Sequence, residues 1–381
     1  MRRAKLKIGV ITSPVGPSNK IPLSNLLDIL EQLAESIRFF PVSINNSDVC
    51  CFQETSRRTI QKLAFTPYKK ISSKTIEYIR MHLRLAKVIW KTQNEVDIWF
   101  FFGGECLLVP MLASKFLRKR VVIAMAGSSV NDSKYTTKNT FMTFCLSILS
   151  NTSFLLADKI IIHSSNLIFD WHLSPFRQKV VVASRHFIDF EKFQILHELS
   201  ERDNLIGYIG RMSEEKGVLN LIKAMSLLST HKDNVSLLLI GTGSLDEAIK
   251  RYIEENSLSI SVKQLGWIEH DELPIYLNQM KLLVIPSYNE GLPNVMLEAM
   301  ACGTPVLATP VGAIPEYIQD RVTGFLVSHN SPDCLAQRIL ETLEFQQLNS
   351  VSNNALLQVK NEFNYQSATE RYAKIIEDIM Q

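Results

Sequence analysis

No two cysteines in this 381-residue sequence form a C-x-x-C pair, and none has a histidine at metal-ligand spacing. The six present (Cys50, Cys51, Cys106, Cys145, Cys302 and Cys334) therefore argue against a zinc site or a disulfide framework, and a reducing compartment is expected. A membrane-spanning run is also missing. The uncharged stretch from Phe141 to Ala157 contains Ser, Asn and Thr and is too short to cross a bilayer, so a buried helix is expected there. The basic opening, Met1 to Lys7, precedes only a short apolar run, Ile8 to Thr12, which reads as a first strand rather than the core of a signal peptide. A large net charge is absent too, at +3, but the halves differ. Residues 1–190 hold 26 Lys/Arg against 13 Asp/Glu, and residues 191–381 hold 15 against 25. The first half is thus suited to a negatively charged surface or substrate. Length and the 46% hydrophobic content fit two globular domains.

What is present is organised around residues 281–300. Lys281-Leu282-Leu283-Val284-Ile285 reads as a buried strand, Pro286 to Pro293 as a tight loop bending at Gly291, and Asn294 as the cap of a helix running through Met300. A strand, a glycine turn and a helix N-terminus form an anion site, because free N–H groups and the helix dipole converge there. Glu290 falls in the loop and Glu298 in the second helical turn. Both lie at the C-terminal edge of a parallel sheet, where α/β proteins bind ligands. Carboxylates beside an anion site suit hydroxyls attached to the anion, so the implied ligand carries phosphate and several OH groups, as a sugar nucleotide does.

Glu290-x7-Glu298, embedded in N-E-G-L-P-N-V-M-L-E-A-M-A-C-G-T-P-V, resembles the donor-site signature of retaining glycosyltransferases of family 4 (glycosyl transferases group 1). The resemblance implies the GT-B fold: two Rossmann-like, doubly wound α/β domains facing across a cleft. It implies an acceptor domain at 1–190, a nucleotide-sugar domain at 191–364, and a terminal helix, 365–381, crossing back to the first.

Arg211-Met212-Ser213-Glu214-Glu215-Lys216-Gly217 follows the strand Asn204 to Gly210 and matches the family's G-R-x-x-x-E-K-G. Arg211 supplies a flat fork and Lys216 a point charge, and both are expected to hold the donor diphosphate as it leaves. With Glu290 they are the expected catalytic groups. Glu298 is expected on the ribose hydroxyls and Glu290 on the donor sugar. Backbone groups at Gly291, Leu292, Asn294 and Val295 are expected on sugar or phosphate, and those near Ile268 on the base.

The first half matches the family thinly. Gly16, in the loop Ser13 to Asn19 after the first strand, is the expected contact to the diphosphate, although family members often carry two glycines here. Leu23 to Phe39 reads as an amphipathic helix. Ala126-Gly127 stands where the family often has His-Gly, and the sequence leaves open whether His163 or His186 substitutes. Residues 57–91 and 115–120 are basic and interleaved with apolar residues. They read either as a solvated face or as an amphipathic face on anionic lipid headgroups; no recognition motif accompanies them, so no nucleic-acid partner is expected.

The expected activity is retaining transfer of a hexosyl unit from a UDP- or GDP-sugar to a saccharide or lipid-linked acceptor, in surface polysaccharide or glycolipid synthesis. No cofactor or essential metal is expected, and the setting is cytoplasmic, peripheral on the inner face of the membrane. A nucleotide-sugar epimerase of the same fold, a non-catalytic sugar-nucleotide sensor and a membrane scaffold remain alternatives.

Overall fold

The computed structural model describes residues 6–16, 19–43, 52–65, 71–131, 140–229 and 234–381, without the side chains of residues 71–75. Cys50, Cys51, Lys69 and Lys70 lie outside the described residues. The chain divides into two units, residues 1–186 with 365–381, and residues 187–364.

In the N-terminal unit the strands are β1 (Lys7–Val15), β2 (Ser36–Ser43), β3 (Arg58–Ile60), β4 (Leu63–Ala64), β5 (Ile98–Phe102), β6 (Arg120–Ala124), β7 (Lys159–Ile162) and β8 (Val180–Val182). They pair in parallel in the order β3-β2-β1-β5-β6-β7-β8, with β4 also on β2. β5 (Ile-Trp-Phe-Phe-Phe) is buried along its whole length, as a central parallel strand covered on both faces requires. Its helices are α1 (Lys20–Leu33), α2 (Ile71–Lys91), α3 (Leu108–Phe116) and α4 (Thr140–Leu156). The helix expected from Leu23 to Phe39 ends at Leu33, and residues 36–43 form β2 instead. The apolar run Phe39-Phe40 belongs to a strand buried on both sides, a pattern that a helical stripe mimics. The helix Tyr365–Met380 packs on α1; the Tyr365 hydroxyl donates to Asp28 O at 3.0 Å, and Arg371 Nε to Ser184 O at 3.1 Å. α4 corrects a second expectation: it forms where the uncharged run predicted a buried helix, but Phe141, Phe144, Ile148 and Leu155 are each at least half exposed.

At the C-terminal ends of β6, β7 and β8 the edge is closed by His163, Arg185 and His186, each no more than 3% exposed. Arg185 donates to Met125 O at 2.9 Å and lies over the Phe102 ring. The two imidazoles meet edge to face at 4.8 Å. Burial, reinforced by the Arg185 charge, holds both well below the usual histidine range. They are neutral groups packed against each other and Arg185, not side chains presented to solvent.

In the C-terminal unit the strands are β9 (Leu205–Ile209), β10 (Ser236–Ile240), β11 (Val262–Gly266), β12 (Leu282–Ile285), β13 (Val306–Ala308) and β14 (Phe325–Leu326). All are parallel, in the order β11-β10-β9-β12-β13-β14. Counted within the unit this is 3-2-1-4-5-6, the Rossmann order, and it opens a crevice between β9 and β12 where the winding reverses. The flanking helices are α5 (Val218–Ser229), α6 (Asp246–Glu255), α7 (Leu273–Gln279), α8 (Asn294–Ala301), α9 (Pro332–Leu343) and α10 (Leu348–Glu362). The division between units falls after His186, and residues 190–203 are tied into the C-terminal unit. Arg202, 6% exposed, donates to the carbonyls of His197, Leu277, Met280 and Cys302.

The buried histidines fix a pH dependence. A histidine whose folded pKa is depressed contributes stability above its unfolded pKa and loses it as pH falls below that value. Unfolding free energy should therefore fall below about pH 6.5, by up to about 1.4 kcal/mol per pH unit for each imidazole. Urea midpoints from pH 7 to 5 should follow this slope, and a His163→Asn/His186→Gln variant should flatten it. An unchanged slope in that variant would mean other groups carry the acid sensitivity.

Candidate functional site

The β9–β12 crevice collects the residues that the sequence singles out. The loop after β9 carries Arg211 and a single turn, Glu214–Lys216, ended by Gly217 at φ +66°. A Cβ there would meet Pro286 O at 2.0 Å, so only glycine lets this loop lie against the one after β12. The two loops are joined further by Tyr288 N–H to Glu215 O at 2.9 Å. Asn330 Nδ2 donates to Pro286 O at 2.9 Å, holding the second loop from behind.

Within that frame Lys216 Nζ donates to Glu290 Oε1 at 2.7 Å, and Ser287 Oγ donates to the same oxygen at 2.7 Å. The Lys216 and Glu290 side chains are 19% and 11% exposed, enough to strengthen the pair over a surface contact while leaving it reachable. Arg211 approaches Glu215 Oε1 at 3.1 Å with its side chain 57% exposed, and Ser213 Oγ donates to that oxygen. Burial raises Glu215, but the Ser213 hydrogen bond and then its own backbone, Arg211 and Lys216 outweigh it, leaving the carboxyl below its ordinary range. Tyr208, buried under both loops, donates to Arg211 O at 2.7 Å; burial and then the nearby Glu290 and Glu215 keep its phenol protonated.

Asn294 is not the helix cap. Pro293 occupies that position in an extended conformation, φ −68° and ψ 120°, and Asn294 is the first residue of α8, with no side-chain capping bond. The backbone explains this: a proline cannot donate, and its fixed φ suits the turn just before a helix. As a consequence the cap position itself offers no side chain to the first N–H groups of α8. Gly312 (φ +58°) packs against the same loop: its Cβ would meet Glu290 O at 2.1 Å, and Ala313 N–H donates to Gly291 O at 2.9 Å.

Glu298, 4% exposed on α8, belongs to a network that the sequence did not point to. His270 Nε2 lies 2.8 Å from Glu298 Oε1, and Lys192 Nζ lies 2.9 Å from His270 Nδ1 and 2.5 Å from Asp271 Oδ1. An ammonium can only donate, so Nδ1 accepts and Nε2–H faces the carboxylate. The signal was positional: His270 lies just beyond Ile268, in the loop after β11 at the same sheet edge. Ile268 and Val295 are partly buried against the apolar cluster that contains Leu292. Cys302, directly after α8, is fully buried and its thiol is pushed up to about 12 by burial, which makes it inert. Gly16 follows β1 in the other unit, with nothing within 4 Å of a Cβ placed on it.

The switch point of this Rossmann-order sheet thus brings together Arg211, Lys216, Glu290, Glu298 and the N-terminus of α8. The model of the family Glycosyl transferases group 1 matches residues 189–356, a stretch that lies within the C-terminal unit. Among relatives, the capsular polysaccharide biosynthesis glycosyltransferase CapM of Staphylococcus aureus is 28% identical over 244 residues, 59% of this chain and 63% of CapM. The amylovoran biosynthesis glycosyltransferase AmsK of Erwinia amylovora is 29% identical over 203 residues, 51% of this chain and 50% of AmsK. The match thus spans between half and 63% of the length of these relatives. Anabaena HepE, solved in complex with UDP and glucose, superposes with a TM-score of 0.77 at 19% identity, over 98% of this chain and 99% of HepE. The fold is GT-B, with two parallel-sheet Rossmann-like domains.

The Lys216–Glu290 pair is testable by a double-mutant cycle. Lys216→Met alone should lower stability by about 1–3 kcal/mol, because the largely enclosed Glu290 loses its cation. The Lys216→Met/Glu290→Gln double variant should recover most of that loss. Urea denaturation of the four proteins gives the coupling, and strictly additive losses would mean the contact carries none of it.

Proposed function

We propose that the protein transfers a hexosyl unit from a nucleotide-sugar to a saccharide or lipid-linked acceptor, with retention of anomeric configuration. The observation that carries this is the junction of Lys216 with Glu290 beside the uncapped start of α8. Expelling a nucleoside diphosphate needs positive charge at the leaving oxygens, worth several kcal/mol in a water-poor site. Arg211, Lys216 and the N–H groups of Asn294 and Val295 supply it from the chain itself, so this reading gives the neutralisation to the protein rather than to a metal. Glu298, oriented by His270, accepts from the ribose hydroxyls. Glu290 accepts from the sugar, with the backbone of Gly291 and Leu292 closing the loop around it. The segment at Ile268 lines the base.

A nucleotide-sugar donor is supported by HepE, solved with UDP and glucose, and a role in surface polysaccharide synthesis by the named roles of CapM and AmsK. Retention arises in this reading by same-face attack, with a phosphate oxygen of the leaving group drawing the acceptor proton.

A thermal-shift panel of UDP, GDP and their hexoses tests the donor. A ligand at 100 times its Kd adds about 2.7 kcal/mol of stability. One nucleotide series should raise Tm, and Arg211→Ala and Glu298→Ala should abolish the rise. With the matched donor, product NMR should show the donor's anomeric configuration, and inversion would overturn the proposed mechanism. Free sugar released from donor alone, with no acceptor product, would instead favour an epimerase-type activity. Binding without any turnover would favour a sensor.

A further inference from the structure

We propose that the outer face of α2, α3 and α4 in the N-terminal unit docks on the headgroup region of an anionic lipid bilayer. On α2 the exposed apolar residues Ile76, Ile79, Leu83 and Trp90 recur at spacings of three, four and seven, which aligns them in one row. Arg80, Arg84 and Lys91 each follow one of these by one position and, with Lys87, form a second, basic row beside it, all exposed. The opposite side, with Met81, Leu85, Val88 and Ile89 buried, is the side that packs on the unit's core. A helix with one face in the core and an apolar row on the other is not accounted for by the fold.

The neighbours continue the pattern. α3 packs against α2 on one side and α4 on the other. Its Phe116, 77% exposed, stacks on the exposed Trp90 at 6.0 Å and 22°. Leu112 lies one turn earlier, 47% exposed. α4 shows Phe141 at 76%, Phe144 at 62%, Ile148 at 51% and Leu155 at 65%, again on one side. This helix has no charged residue in seventeen. Three adjacent helices thus leave large apolar side chains in contiguous rows, far beyond the scattered exposure normal for a monomer.

Charge decides the occupant. The only acid in the three helices is Glu77, 4% exposed, which Arg84 and Arg80 approach at 3.3 and 3.7 Å, so the basic row keeps a net positive charge with Lys87 and Lys91. Arg118, Lys119 and Arg120 follow α3 directly. A second copy docked through this face would set like charges against each other, whereas an anionic headgroup layer complements them. Trp90 adds an indole suited to the boundary between apolar and wet layers. Among the described residues no helix is long and apolar enough to cross a membrane, so the contact is one of lying on the surface. The inference goes beyond the transferase reading and supplies a place where a lipid-linked acceptor would be met.

The test is sedimentation of the full chain with phosphatidylcholine vesicles and with phosphatidylcholine/phosphatidylglycerol vesicles. Anionic vesicles should bind at least about tenfold more protein, with the difference shrinking in high salt. Phe116→Ser/Phe144→Ser should abolish binding to both. Lys87→Glu/Lys91→Glu should remove the preference for anionic lipid. These side chains are exposed, and unchanged circular dichroism and urea midpoints would confirm folding. Absence of vesicle binding, equal binding to both vesicle types, or wild-type binding in both variants would overturn the proposal. A concentration-dependent dimer lost in the phenylalanine variant would assign the face to a second copy instead. No donor or turnover is needed, so failure here leaves the transferase reading standing.

Discussion

The reversal of winding between β9 and β12 is the constraint on which the C-terminal site depends. Adjacent parallel strands whose following helices lie on opposite faces must send their loops apart, and a crevice opens between them. Lys216 reaches Glu290 across 74 positions of sequence because both loops border that crevice. The same pairing on a surface would contribute little; enclosed between the two loops it sees a lower dielectric and a fixed geometry.

Fixed geometry comes from backbone rather than from the charged groups. Gly217 against Pro286, Gly312 against Glu290, and Asn330 on the Pro286 carbonyl hold the two loops before any ligand contact is made. Charges held in place by such a frame need little reorganisation when charge develops on a leaving group, which is where electrostatic catalysis gains most. The uncapped start of α8 belongs to the same frame, since Pro293 both ends the loop and offers no side chain to the helical N–H groups.

Much of this was legible in the sequence because it is local. Glu290, Gly291 and Glu298 sit at fixed offsets in one strand-loop-helix unit, and Arg211 and Lys216 in another, so the resemblance to the family's short motifs can carry the signal. His270 and Lys192 were not legible, since their value comes from meeting Glu298 across the fold rather than from any motif of their own. Asn294 was misread as a cap because cap preference is a statistical rule, and a preceding proline shifted the helix start by one residue. The Leu23–Phe39 reading failed for a related reason: a central parallel strand, apolar on both faces, continues a helical apolar stripe without a break in hydrophobicity. The stretches Asn204 to Gly210 and Lys281 to Ile285 have no such neighbour and read correctly as strands, which the structure places at Leu205–Ile209 and Leu282–Ile285.

The uncharged run at 140–156 shows why composition alone cannot separate burial from function. A core helix and an interfacial helix both lack charge, and they differ only in what covers the outer side. In this unit the sheet's own needs are met by β5, β6 and the inward sides of α2 and α3, whose residues are almost wholly buried. α4 therefore has apolar surface in excess of what the core can use, with only Ser150, Ser153 and Phe154 buried among its seventeen residues. Keeping Phe141 and Phe144 in water is unfavourable by their transfer free energy, so a second environment is the physical account that remains.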